Sequence, residues 1–206
     1  MGDPRKSKKK YSTPSHPWQK DRIEKEKELV KQFGLKNKKE IWIASSHLRK
    51  LTTQAKNLIR EKTEKQEKQF LESLYRFNLM KQGAKIEEVL DLITEDILAR
   101  RLQTLVFKRG LARSPKQARQ FITHGHISIK DKKINKPSYF VSKEEESLIS
   151  YNPTSSISKI DHPERIKEEE KKEIIKNKEE IQKKEKLKKE VKKEAFLKKR
   201  NQKKKR

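Results

Sequence analysis

The sequence contains no cysteine, which excludes disulfides, thiolate zinc sites and a cysteine nucleophile. Five glycines in 206 residues are few for an attached catalytic domain built on glycine-rich loops. No stretch approaches the roughly 20 apolar residues of a membrane span. The opening MGDPRKSKKK is charged from its third residue with no apolar region behind it, so neither an anchor nor a secretory leader is expected and the protein reads as cytoplasmic. Apolar residues make up 30% and aromatics 6%, enough for one or two small cores but not for one large globule. Charge is what the chain has in quantity: 56 Lys plus Arg against 30 Asp plus Glu, a net +26. A compact free monomer of that charge repels itself, and its natural compensator is a polyanion, which makes nucleic acid the leading partner class.

Residues 1–16 hold Arg5, Lys6, Lys8, Lys9 and Lys10 among Gly2, Pro4 and Pro14 and predict an extended basic arm. Residues 17–93 predict a helical domain. Its first helix opens at Pro17 and Trp18, runs to Phe33 and stops at Gly34. A second starts after Asn37, with Glu40 completing a capping-box-like pair, and carries a seam of Ile41, Ala44, Leu48, Leu51, Ala55 and Leu58. A third spans about Thr63 to Lys81, with Gly83 as its stop, and a short helical turn covers Ile86 to Ile93. The aromatics, Trp18 and Trp42 included, are expected in the core.

Residues 94–152 predict a different unit. Thr94 caps a helix over Glu95 to Arg109 that Gly110 ends. Ser114, Pro115 and Gln117 start another, with serine as cap, proline at the first position and glutamine placed to close a capping box, and Gly125 ends it. Beyond it the apolar period falls to two: Ile127 and Ile129, a turn at Asp131 to Lys133, Ile134, then Tyr139 and Val141, and a last short strand at Leu148 and Ile149. Residues 153–163 read as a linker, and 164–206 as a charged helical tail held by pairs such as Glu179 with Lys183 and Glu185 with Lys189. The fold class expected is α+β: an N-terminal helical domain, a module of two helices with a small antiparallel sheet, and a long basic C-terminal helix.

Between Arg100 and Ser142 stand 11 Lys plus Arg and one acid, Asp131. An ordinary solvated surface mixes signs, and here the acids are missing. On the second helix of this unit Ala118, Phe121 and Ile122 form an inward stripe while Lys116, Arg119 and Thr123 occupy another face. That division suits a surface that tracks phosphates. His124 and His126 are two apart, but no third ligand candidate stands near them beyond Asp131, so no metal is expected. Glu87-Glu88 and Glu168 to Glu170 lie in helical charge runs, no nucleophile stands with a base, and no enzyme activity or cofactor is expected.

The residues Arg101-Leu102, Val106, Gly110, Ala112, Ser114, Ala118-Arg119, Ile122, His126-Ile127, Ile129, Pro137-Ser138-Tyr139 and Val141 fall in register over a stretch that resembles the S-four RNA-binding domain. The resemblance implies two helices on a small sheet that bind structured RNA through its phosphates, largely by shape and charge. Carried onto this sequence, it makes Arg101, Arg109, Arg113, Lys116 and Arg119 the RNA-facing residues, with His124, Lys132 and Lys133 as weaker candidates. The flanks PWQKDRIEKEKELVKQFGLKNKKEIW, SSHLRK and ILARRLQTLVFKRGLARS resemble the archaeal and eukaryotic type of the small-subunit ribosomal protein family that gives the module its name. Such proteins imply a structural role on small-subunit rRNA, at a multi-helix junction of its five-prime domain. They also imply a part in assembly and decoding accuracy, with neighbours of the S-five and S-three families. The alternative is a stand-alone RNA-binding factor of ribosome rescue or recycling.

Charge in the tail is uneven: residues 161–186 carry 9 basic and 9 acidic residues, and 187–206 carry 11 and 2. The balanced part can support a helix through its own pairs, whereas the last part has little but a polyanion to stabilise it. Deleting residues 187–206 should weaken rRNA binding in a salt-dependent way and leave the melting temperature unchanged. Loss of melting temperature, or unaltered affinity at every salt concentration, would place the tail against protein instead.

Overall fold

The structure is a computed structural model and describes residues 9–61, 64–159 and 162–164. The first half of the basic arm and the expected C-terminal helix lie outside the described residues. Helices α1 (Lys20–Phe33), α2 (Lys38–Glu61) and α3 (Glu64–Arg76) come first, followed by a 3-10 turn at Ile86–Asp91. Then come α4 (Thr94–Ala99), α5 (Leu102–Lys108), α6 (Pro115–Thr123), strands β1 (Ile127–Ile129) and β2 (Lys132–Lys133), α7 (Lys143–Ser147) and β3 (Ile149–Tyr151). The fold is α+β, as expected, and its sheet is antiparallel with β1 at the centre in the order β2-β1-β3.

The helical part is organised by the end of α1 and one buried carboxylate. Gly34 sits at φ 60, and the next amide, Leu35, donates to the Val30 carbonyl at 3.1 Å, closing α1. A β-carbon on Gly34 would lie 2.6 Å from Pro115 Cβ, so this glycine also lets the start of α6 approach the end of α1. Glu26, on α1, is buried and accepts hydrogen bonds from Arg22 at 2.7 Å and from the Trp42 indole at 3.0 Å, with the Lys38 ammonium 3.2 Å away. It thereby pins α1 to α2. Burial pushes the Glu26 carboxyl up, but the bonds from Trp42, Lys38 and Arg22 prevail and hold it below the ordinary carboxylate value.

Of the seam expected on α2, Ile41, Ala44 and Ala55 are fully buried and Leu48, Leu51 and Leu58 half-buried. Ile41 and Ala44 pack with Phe33, Leu35, Ile97 and Leu98, so α4 lies against α1 and α2. Ala55 packs with Leu74 and Val89. Each large side chain so buried contributes roughly 1.5–3 kcal/mol.

Several expectations are corrected. Helix α3 stops at Arg76, not Lys81, because Asn78 takes φ 53 and the Leu79 amide folds back on the Leu74 carbonyl at 3.0 Å. Asparagine does there what Gly83 was expected to do. Trp18 is 91% exposed: α1 begins at Lys20, so Trp18 lies before the helix and off its apolar stripe. Glu40 does not cap Asn37; its carboxylate takes the Lys36 amide and two arginines of the module. The single helix over Glu95 to Arg109 is two helices. Arg101 is extended at φ −72, ψ 144 and forms a β-bridge with Phe140, with Leu102 N–H donating to the Tyr139 carbonyl and Val141 N–H to the Arg100 carbonyl. The segment around Tyr139 and Val141 therefore pairs with the helix break and not with the sheet. Thr94 is the first residue of α4, and Asp96 Oδ2 accepts the Ile93 amide at 2.9 Å in place of a threonine cap.

In the module, Ser114 Oγ accepts the Gln117 amide at 3.2 Å as expected, while Gln117 reaches one residue further back, to the Arg113 amide, at 2.7 Å. Lys132 and Lys133 belong to β2, and the turn is Lys130-Asp131 with Lys130 at φ 54. Leu148 precedes β3 and is exposed. Helix α7 was not expected, although Ser142 and Glu145 form a full capping box that the sequence displays. Tyr139 Oη bonds Glu145 at 2.9 Å, and Arg100 bonds Glu146 at 2.8 Å, fixing α7 to the module. The segment read as a linker includes a 3-10 turn at Ser156–Ser158 that sets Ile157 into the module core beside Leu105, Phe121, Ile127 and Ile149.

Gly125 has φ 75, and the amides of Gly125 and His126 return to the Ile122 and Phe121 carbonyls at 3.0 and 2.9 Å. The Lys133 side chain lies where a β-carbon would stand. Gly125→Val places a β-branched residue in the left-handed region at a cost of about 1–3 kcal/mol. The variant should lose thermal stability and RNA affinity together. Lost affinity at an unchanged melting temperature would instead mark a point of close RNA approach.

Candidate nucleic-acid interface

The eight residues expected to face RNA divide into two groups. Arg101, Arg109 and Arg119 direct their guanidinium donors to other groups of the chain, Arg101 being buried, Arg119 partly exposed and Arg109 exposed. Arg101 is buried, with its guanidinium bonded to Glu40 Oε2. Arg119 donates to the same carboxylate, with Nη1 3.1 Å from Oε1, and to Gln103 Oε1 at 3.2 Å. Arg109 closes the end of α7, donating to the carbonyls of Glu146, Ser147 and Ile149. The expectation that Arg101 lies on the outer face is corrected, because the break at Arg101 turns its side chain toward α2. The expectation that Arg119 shares a face with Lys116 is also corrected: Arg119 leans to Glu40 and is only partly exposed.

The second group is exposed. Arg113 and Lys116 stand at the start of α6, His124 at its end, and Lys132 and Lys133 on β2. Arg113 reaches the Pro163 carbonyl at 3.5 Å. Along α6, Lys116, Gln120, Thr123 and His124 are all exposed, a polar ridge at helical spacing opposite the buried Ala118, Phe121 and Ile122. At the far end of the ridge the His124 and His126 rings stack with centroids 6.2 Å apart, and His126 Nδ1 is 2.7 Å from Ser155 Oγ. Burial lowers the affinity of His126 for a proton, and the positive charges of His124, Lys133 and His162 lower it further. His126 is therefore held toward its neutral form. Among the described residues no group of three His, Asp or Glu side chains is arranged to hold a metal ion.

Glu40 was not expected at the site, and it organises the site. It joins α2 to both helices of the module through Arg101 and Arg119. Beside it the Gln103 side-chain amide donates to the carbonyls of Phe33 and Gly34 at 3.1 and 2.9 Å and to that of Pro115 at 2.9 Å. The sequence signal was faint: a glutamate one turn into a helix reads as a cap, and its partners lie 61 and 79 residues away.

Residues 100–147 match the S4 domain, a stretch that holds α5, α6, β1, β2 and α7 and ends just before β3. The chain is 52% identical over 169 residues to a small ribosomal subunit protein uS4 of Methanococcus aeolicus, covering 80% of this chain and 96% of that one. It is 49% identical to the uS4 protein of Methanothermobacter thermautotrophicus over 77% of this chain and 95% of that one. With the uS4 protein of Ignicoccus hospitalis it shares 48% identity over 75% and 95%. The chain belongs to the small ribosomal subunit protein uS4 family, a family of ribosomal proteins and not of enzymes.

Burial raises the Glu40 carboxyl, but hydrogen bonds from Arg119 and Arg101 and their charges outweigh it and hold the group below its ordinary value of 4.5. A depressed folded value means that the contribution to stability is complete above 4.5 and is lost as pH falls through the folded value. Thermal unfolding followed below pH 4.5 should therefore fall more steeply in the natural protein than in Glu40→Gln. Glu40→Ala, which leaves Arg101 buried and unpaired, should cost about 2–4 kcal/mol at neutral pH. Equal pH slopes in protein and variant would remove Glu40 from this role.

Proposed function

We propose that the protein is a structural component of the small ribosomal subunit in the cytoplasm and binds small-subunit rRNA by charge neutralisation and shape. The observation that carries this reading is the 48–52% identity, over 75–80% of this chain, to proteins named as small-subunit components, joined to an exposed cationic face on the S4 domain. In this reading Lys116, Lys132 and Lys133, with Arg113 and His124, meet phosphates, whereas Arg101, Arg109 and Arg119 hold the face in shape. The helical part (17–93) and the module (94–152) together clamp a multi-helix junction of the five-prime domain. This is a contact through which such a protein contributes to early assembly and to decoding accuracy, beside neighbours of the S-five and S-three families. Recognition by phosphate contacts and A-form shape needs no cofactor and no catalytic group.

Sedimentation tests the role: the protein should remain on small subunits in about one copy each after a high-salt wash, whereas a rescue or recycling factor would be released. The face is tested by Lys116→Ala, Lys132→Ala and Lys133→Ala combined. Each phosphate contact contributes about 0.7–0.9 to the slope of log affinity against log salt, so the triple variant should flatten the slope by roughly 2 at unchanged melting temperature. Arg119→Ala should instead lower the melting temperature. A triple variant with natural slope and affinity would move the interface elsewhere.

A further inference from the structure

A second cationic surface lies outside the S4 domain. The described part of the N-terminal arm runs beside α2: the Tyr11 and Trp42 rings stack with centroids 6.3 Å apart, Lys39 stands 5.3 Å over the Tyr11 ring, and the Ser12 amide donates to Ser46 Oγ at 3.1 Å. Arg49 donates to Ser12 Oγ at 3.3 Å. Between arm and helix this leaves an open groove of about 570 Å³. Lys9 and Lys10 line it from the arm, and Arg49 and Lys50 from the helix. Ser46, Arg49, Lys50 and Thr53 stand at positions i, i+3, i+4 and i+7, so they form one stripe of α2. No acidic residue lines the groove among the described residues.

Four cations gathered without a carboxylate repel one another, and the arm is held at the groove by one aromatic stack, one cation over a ring, one neutral hydrogen bond and one bond from the Arg49 guanidinium. Elsewhere this chain neutralises clustered cations internally, as Glu26 does for Arg22 and Lys38, and Glu40 for Arg101 and Arg119. At the groove it does not among the described residues. The lining of ammonium and guanidinium groups with serine and threonine hydroxyls suits the oxygens of a phosphate chain. The Tyr11 ring is engaged with Trp42 and Lys39, so this is a backbone site and not a platform for stacked bases. We propose that the groove between the arm and α2 binds a run of RNA phosphates as a second contact, independent of the cationic face of the S4 domain. The proposal rests on the rRNA-binding role argued above and gives the arm a specific place in it.

The test uses the full chain and a small-subunit rRNA transcript. Lys9→Ala, Lys10→Ala and Lys50→Ala combined leave Arg49 and the Tyr11 stack in place. This variant should reduce the salt slope by roughly 2 and weaken affinity about tenfold or more at moderate salt, with circular dichroism and melting temperature unchanged. Combined with the Lys116, Lys132 and Lys133 changes, the losses should add, as they do for distant sites. In parallel, lysine acetylation read by mass spectrometry should show Lys9, Lys10 and Lys50 shielded in the rRNA complex and reactive in the free protein. Full reactivity in a complex that forms normally, or an unchanged salt slope in the groove variant, overturns the groove while leaving the rRNA role intact. Shielding that arises only in assembled subunits, and not with rRNA alone, assigns the groove to an acidic protein face and also overturns it. Failure of the natural protein to bind the transcript would overturn the underlying role and this site with it.

Discussion

The carboxylate of Glu40 is the contact on which the relative position of the two halves depends. One oxygen pair receives Arg101 from the start of α5 and Arg119 from the middle of α6, while its own helix belongs to the N-terminal part. Gln103 supports the same junction by satisfying carbonyls from the end of α1 and the start of α6. A charge pair of this burial contributes little if exchanged for apolar groups of equal shape, but removing one member strands the others. Its worth lies in geometry: a fork of guanidinium donors on a carboxylate fixes direction as well as distance. An rRNA junction gripped by two surfaces needs that fixed relation more than it needs extra stability.

Much of the local architecture was legible because it is written in neighbouring residues. Ser114-Pro115 announces α6, Gly34, Gly110 and Gly125 end helices by taking positive φ, and the switch to a period of two at Ile127 and Ile129 marks the central strand. What escaped depends on partners distant in sequence. Nothing near Arg100-Arg101 forbids a continuous helix; the break exists because Tyr139 and Val141 offer backbone bonds to the same residues. The cationic face was read as one surface for a similar reason. Residue type and spacing place Arg101, Arg109 and Arg119 beside Lys116, and only the fold brings Glu40 and the end of α7 to them. Trp18 failed differently: its aromatic character implied burial, but a position two residues ahead of α1 carries no helical face at all.

The outcome is a division among the basic residues that mostly follows type, with Lys38 paired to Glu26 and with Arg49 and Arg113 at the surface as departures from it. Among the described residues Arg22, Arg100, Arg101, Arg109 and Arg119 bond to carboxylates or carbonyls of the chain. Lys116, Lys132 and Lys133, like Lys9, Lys10 and Lys50, stay exposed. Planar guanidinium groups hold fixed acceptors at low cost in conformational order, whereas strongly hydrated ammonium groups on flexible stems suit a phosphate chain whose position varies. Reading all basic residues as equivalent overstates the number available to RNA and hides the part that shapes the surface.

This division also explains how a chain of net +26 folds at all. Carboxylates are placed where cations must be close together inside, at Glu26 and Glu40, and are few where cations gather outside, with Asp131 in the turn before β2. Salt therefore acts on the two functions with opposite sign. Screening relieves repulsion among surface lysines and so favours the compact free protein. The same screening removes the counterion-release advantage of meeting phosphates. The pairs at Glu26 and Glu40 respond less to either change because their carboxylates are buried or half-buried. A surface left uncompensated in the free protein thus keeps its affinity for a polyanion, while the interior is stable before the polyanion arrives.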